Sequence, residues 1–220
     1  MVELTIMDIE IDIAEIHTPI LPNNWHNKKL QNVILRIEPG KFYKHEKRKP
    51  KEGEVGLLKT SAITKGVLDV TESKTIINSI NINPDNYIRS NDLLVCRANS
   101  PDYIGVSLIV NNVSASYVIS DKIWRLHINN EFKLWVSIYL QTDYGRWLMQ
   151  NIARGAFPSM QHMRQNDFLE LVIPLPKSKD DVDNLPKACD LVLKENVDRK
   201  DINVILSEIT TSLEKLNTVQ

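Results

Sequence analysis

Cysteine is nearly missing from this chain: two residues, Cys96 and Cys189, in 220. Two thiols build neither a disulfide framework nor, alone, a zinc site, which suits a reducing compartment and leads us to expect a cytoplasmic protein. Glycine is scarce too, seven in all. None of the seven is arranged as GxGxxG or GxxxxGKS, so a glycine-rich phosphate cradle is excluded. No GxSxG nucleophile elbow occurs, and no NPPY-like methyltransferase signature. The histidines (His17, His26, His45, His127 and His162) show neither HxxxH nor HxxE spacing, so no metal and no cofactor is expected. No run reaches the ~18 uncharged apolar residues of a membrane-spanning helix. The opening MVELTIMDIEIDIAEIH has no basic n-region and carries five acids, unlike a secretory signal.

What is present is ordinary globular material, 42% hydrophobic and 25% charged, long enough for one sizeable domain with an appendage. A net charge of −1 argues at first against nucleic acid. The charge is uneven, however. Residues 1–20 hold five acids and no Lys or Arg, and residues 177–220 hold seven basic against nine acidic groups. That leaves 20 basic and 14 acidic groups in residues 21–176, a net +6. The densest basic run is KFYKHEKRKPK (41–51), with six basic groups and one acid. Its Lys44, Lys47, Arg48 and Lys49 read either as a solvated loop or as a phosphate-facing patch, since clustered cations release counterions from a polyanion.

Along the chain, Pro19, Pro22 and Asn23-Asn24 separate the acidic segment from the rest. LQNVILRIEPGK reads as a strand or short helix, VGLLKTSA as a strand, and ITKGVLDV as a turn leading into another strand. TIINSINI (75–82) is rich in β-branched residues and reads as a strand. LLVCR and IGVSLIV are short apolar runs around a polar loop, the pattern of a hairpin. SYVISDKIWRLHI continues as strand, turn, strand. From Asn130 apolar residues recur at three- and four-residue spacing, predicting a helix bent at Gly145 and ending at a C-cap Gly155, with Trp135, Tyr139 and Trp147 as core anchors. FLELVIPLP reads as a buried strand. In the tail, Pro186 cuts a first helical segment. In a second, Ile202, Leu206, Ile209, Leu213 and Leu216 fall at spacings of 4, 3, 4 and 3, a seam over two heptads that needs a partner helix.

Four segments carry a resemblance. LPNNWHNKKLQNVILRIEPGK (21–41) resembles the opening of a target recognition domain from type I restriction–modification specificity subunits. GLLKTSAITKGVLDV (56–70) resembles that family's polar S/T-x-x-I-x-x-G turn, and IRSNDLLVCRANSPDYIGVSLIV (88–110) its core hairpin. Residues 132–176, ending in IPLP, resemble its closing helix, loop and strand. The resemblance covers 21–176. It implies an α+β fold, a twisted mixed β-sheet with a few helices, followed by a C-terminal helical segment over 177–220 for packing or assembly. It also implies a non-catalytic module that reads a short half-site in double-stranded DNA for modification (methyltransferase) and restriction subunits, with a possible homodimer through the C-terminal helix. Whether the chain is a half-subunit, a stand-alone module or one domain of a longer protein stays open. PLPKSKDDVDNLPKACD departs from the family's long continuous helix: it is acidic and broken by Pro186.

Base reading needs donors and acceptors on loops able to reach groove edges. Three loops qualify: Lys59, Ser61, Thr64 and Lys65; Arg97, Asn99, Ser100 and Tyr103; and Arg154, Ser159, Gln161, His162 and Arg164. Each has a plainer reading. Arg97 pairs with Asp102 or Asp92, Asn99 caps an Asx turn, and Gln161 and His162 are solvated. Phe157 and Met160 are expected to anchor the third loop. Two alternatives stand beside DNA reading. One is a non-DNA interaction or scaffold protein using the acidic ends and the tail seam. The other is a Mg²⁺-dependent nuclease, since Pro101-Asp102 followed by Glu131-Phe132-Lys133 fits the order in which two acids hold the metal and Lys polarises water.

Overall fold

The computed structural model describes residues 26–175 apart from 80, 81, 112, 115 and 158. The acidic segment 1–20 and the tail with its Ile202–Leu216 seam lie outside the described residues. Among the described residues, thirteen short strands and three α-helices form a mixed α+β fold.

The central sheet comprises β2 (Ile34–Pro39), β10 (Ile123–Ile128), β6 (Leu93–Cys96) and β8 (Ser107–Ile109), all antiparallel, in the order β2-β10-β6-β8. Its inner strands read as nearly continuous apolar runs because both faces are covered. Leu93, Val95, Trp124, Leu126 and Ile128 face a core shared with α1 (Asn130–Tyr139), α2 (Asp143–Ile152) and α3 (Gln165–Leu169). There Trp124 packs on Phe168 at 5.5 Å, and Trp135 donates from Nε1 to the Pro174 carbonyl at 2.6 Å. Leu94, Cys96 and Ile123 point the other way, with Ile63, Leu58 of β4 (Gly56–Leu58) and Ile119 of β9 (Tyr117–Ile119). These last two strands belong to a second sheet, in which β3 (His45–Glu46) and β5 (Ser73–Ile76) complete the order β3-β5-β4-β9 and β4–β9 is the parallel pair. A two-stranded ladder of β1 (His26–Lys29) with β13 (Val172–Leu175) joins the two ends of the described chain.

The face that holds Ile123 also carries Arg125, 4% exposed. Its Nε meets Asp92 at 3.0 Å, Nη1 meets Glu38 at 3.3 Å, and the guanidinium donates to the carbonyls of Asp85 and Tyr87, each at 2.8 Å. A buried cation is tolerated when it is paired and hydrogen-bonded to this extent. It fixes the turn at 84–87 against the central sheet.

Several local expectations need correction. The helix predicted to bend at Gly145 is two helices. The break falls at Leu140–Thr142, where the Thr142 hydroxyl accepts from Gly145 N–H at 3.0 Å and caps α2. Gly155 ends no helix; it sits in β11 (Arg154–Phe157). The strand expected over 75–82 stops at Ile76, and Asn78 takes a φ of 58°. LQNVILRIEPGK is both of its readings, a 3₁₀ turn at Leu30–Asn32 followed by β2. VGLLKTSA likewise divides between β4 and a 3₁₀ turn at Thr60–Ala62. No strand forms within 63–70. Phe168 and Leu169 are helical, so the last strand is shorter than FLELVIPLP implied. SYVISDKIWRLHI forms the strand, turn and strand expected of it, with β9 joining β4 and β10 joining β2 and β6. Among the described residues no helix is long and apolar enough to cross a membrane.

Two glycines separate conformational from packing demands. Gly66 and Gly105 both have positive φ, +76° and +74°, but a Cβ on Gly66 meets nothing within 4 Å, whereas one on Gly105 falls 2.3 Å from Met149 Sδ. Gly66→Ala should therefore lose about 1 kcal/mol, the cost of a left-handed backbone. Gly105→Ala should lose at least twice that in urea unfolding, because the Met149 side chain must also move.

Candidate nucleic-acid interface

Two of the three predicted loops come together in one sheet. β7 (Ala98–Asn99) continues from β6 and pairs with β12 (Met160–His162), which pairs in turn with β11. The register sets Gln161 opposite Asn99, His162 opposite Ala98 and Arg154, and Met160 opposite Phe157.

The first of these loops is held rigidly. Asn99 Oδ1 accepts from Ser100 N–H at 2.9 Å, one residue on and not the two of the Asx turn expected of it, and Asn99 Nδ2 reaches Cys96 Sγ at 3.6 Å. Burial pushes the Cys96 thiol up, so Cys96 is a packing residue. From α2, Arg146 donates to the Asp102 carbonyl at 3.1 Å and Gln150 to that of Pro101 at 3.0 Å. Neither latch was apparent in the sequence; both lie more than forty residues from the loop they hold. Tyr103 is left half exposed at the loop's end.

Among the described residues Arg97 forms no ion pair with Asp92. Asp92 is taken by Arg125, and the Arg97 guanidinium lies over the Trp124 indole, 5.8 Å from the ring centroid. Its Nε is buried without a hydrogen-bond partner among the described residues. A cation over an aromatic face gains ~0.5–2 kcal/mol, and among the described residues no side-chain hydrogen bond of Arg97 is formed. The Arg97 N–H bonds to the carbonyl of exposed Lys122, an adjacent cation that sequence reasoning missed.

On the hairpin, Arg154, Ser159, His162 and Arg164 are exposed and Gln161 is half-buried. Arg154 and Arg164 share Asp167 at 3.7 and 3.6 Å. These are long, solvent-screened contacts that leave one surplus positive charge. Phe157 and Met160 are not anchors, since they are 71% and 43% exposed.

The remaining predicted residues divide. Lys59 is paired with Glu72 at 2.6 Å and Ser61 donates to the same carboxylate at 2.5 Å; Thr64 donates to the Ser61 carbonyl, while Lys65 is exposed. Glu72 therefore absorbs much of the first loop's polarity, although Ala62 and Ile63 beneath it share a core with Cys96. In the basic run, Lys44, Lys47 and Lys49 are exposed, but Arg48 is clamped by Glu46 and by both oxygens of Glu54, at 2.6 Å each. Of the nuclease pattern, Asp102 sits in the β7 loop, Glu131 in the first turn of α1, and Lys133 donates to the Asn91 carbonyl at 3.0 Å. Among the described residues no three His, Cys, Asp or Glu gather where they could hold a metal ion.

The Arg48 bonds hold the Glu54 carboxyl at about 2, far below the 4.5 of an unpaired glutamate. A depressed carboxyl contributes stability that is present above its unfolded value and is lost as pH falls through the folded one. The difference in urea midpoint between wild type and Glu54→Gln should accordingly be full at neutral pH and shrink between pH 4.5 and 2.

No family model matches the chain. Over 159 residues it is 26% identical to the type I restriction enzyme EcoEI specificity subunit of Escherichia coli, a match taking in 71% of this chain and 27% of that protein. Among solved structures, the S subunit of a type I restriction–modification system from M. genitalium superposes with a TM-score of 0.51 at 16% identity, over 78% of this chain and 41% of the other. The likeness to that structure is one of fold. The resemblance read from the four segments is thus met in sequence and in fold, and the chain spans well under half the length of either relative.

Proposed function

We propose that this chain is a sequence-reading DNA module of a type I restriction–modification system. It is a non-catalytic specificity part that places a partner methyltransferase and nuclease on a short site in the cytoplasm. The observation that carries the reading is the β7–β12–β11 sheet, which brings Arg97 and Lys122 into one assembly with the exposed Arg154, His162 and Arg164. The similarity to the EcoEI specificity subunit supports the same role. In this reading Arg97, steadied on Trp124, reads a base edge. Asn99, Ser100, Tyr103, Ser159 and Gln161 border the groove, and Lys65 with Lys44, Lys47 and Lys49 meets phosphates. Lys59, Ser61, Thr64 and Arg48 contribute less, because neighbouring groups already satisfy them. Charge of +6 over 21–176 is modest, so affinity depends on the modification subunit. The seam Ile202–Leu216 is the proposed contact to that subunit or to a second copy.

Fluorescence anisotropy with duplex DNA in the presence of the modification subunit tests this. Binding should weaken steadily with salt as phosphate contacts are screened. Arg97→Ala should cost ~1–3 kcal/mol and relax one base position. Equal loss on every sequence would make Arg97 a phosphate contact, and binding that is absent or indifferent to salt would contradict the proposal.

A further inference from the structure

The exposed pair at the tip of the β11–β12 hairpin is unexplained by packing. Cross-strand partners share a face of a ribbon, as do residues two apart on one strand. Met160 and His162, two apart on β12, therefore share one side of the hairpin, and their partners Phe157 and Arg154 share it with them because the register of β11 shifts between Arg154 and Phe157; all four are exposed. Gln161, between Met160 and His162, points to the other side beside Asn99. One face thus combines an apolar tip of an aromatic and a thioether with a cationic base of Arg154, His162 and neighbouring Arg164. Two large apolar side chains exposed side by side and rimmed by cations form a patch of the kind found at interaction sites.

We infer that this hairpin enters the major groove and that Phe157 and Met160 pack against the C5-methyl groups of thymine, making them specificity residues. The inference rests on the DNA-reading proposal above. Two features favour it. A two-stranded ribbon fits the major groove of undistorted B-DNA, about 12 Å wide, whereas the minor groove, about 6 Å wide, admits one only when the duplex is bent and the groove widened. In the major groove the one apolar feature is the thymine methyl, which Phe contacts well. The cations at the base of the hairpin then lie toward the backbone, where phosphate needs them.

The test uses the full chain with its modification subunit. Sites are selected from a pool of random-sequence 30-base-pair duplexes, and each thymine of the selected site is then replaced singly by deoxyuridine, which removes only the methyl. Wild type should lose about threefold to tenfold at one or two positions. Phe157→Ala should bind thymine and uracil duplexes equally at those positions, while Phe157→Leu keeps the preference. Thermal midpoints of both variants should match wild type, since Phe157 is 71% exposed. Three results overturn the inference. No deoxyuridine effect, with binding still lost in Arg154→Ala, leaves the DNA-reading proposal intact and removes the methyl contact. Loss of association with the modification subunit in Phe157→Ala, with thymine preference unchanged, makes the tip a protein contact. Failure of wild type to enrich any duplex overturns both.

Discussion

Everything at the candidate interface hangs from one strand, β10, and from the opposite demands of two adjacent side chains on it. Trp124 faces the helical core and Arg125 the opposite side, against Glu38, Asp92 and the turn at 84–87. Arg125 is a charge that folding removes from water, and it is tolerated because two carboxylates and several carbonyls surround it. Removing it would leave Glu38 and Asp92 without their shared cation and release the turn at 84–87. Trp124, locked against Phe168, forms the floor on which Arg97 rests. A buried cation thus fixes the strand, the strand fixes an indole, and the indole positions a half-buried guanidinium at the start of the candidate reading loop.

The parts legible in the sequence were those where local pattern and tertiary context agree. β6, β8 and β10 were visible as apolar runs because both sheet faces are buried, and the β6–β8 hairpin followed from the polar loop between them. Of the three aromatics whose spacing predicts core anchors, Trp135 and Tyr139 are buried, while Trp147 is half-buried and stacked on Tyr144. Other features were hidden because they depend on long-range pairing. β9 is parallel to β4, sixty residues earlier, and no local signal specifies that. The α1–α2 break was assigned to Gly145 when the deciding residue is Thr142, whose hydroxyl competes for the backbone. Phe157 and Met160 were judged by residue type alone, which favours burial, whereas their strands form a hairpin with one face open.

Electrostatics shows the same division. Counting charges by segment exposed a positive middle that the total concealed, yet a count cannot say which cations are spent. Glu72 occupies Lys59, Glu46 and Glu54 occupy Arg48, and Asp92 occupies Arg125. Among the described residues, cations that no close acid holds include Lys28, Lys41, Lys44, Lys47, Lys49, Lys51 and Lys65, and, beside the three-stranded sheet, Arg97 and Lys122, with Arg154 and Arg164 weakly held by Asp167. The residues of greatest interest were therefore located less by the density of basic side chains than by the absence of acids placed to neutralise them.

The central claim is that the loop at 97–103 and the hairpin at 154–164 act as one surface toward DNA. Amide hydrogen exchange of the full chain, with and without a selected duplex and in the presence of the modification subunit, addresses it directly. The account predicts slowed exchange on DNA in both segments together, with little change along β2 or β5. Protection of only one of the two, or protection confined to the 41–51 run with both unchanged, would contradict it.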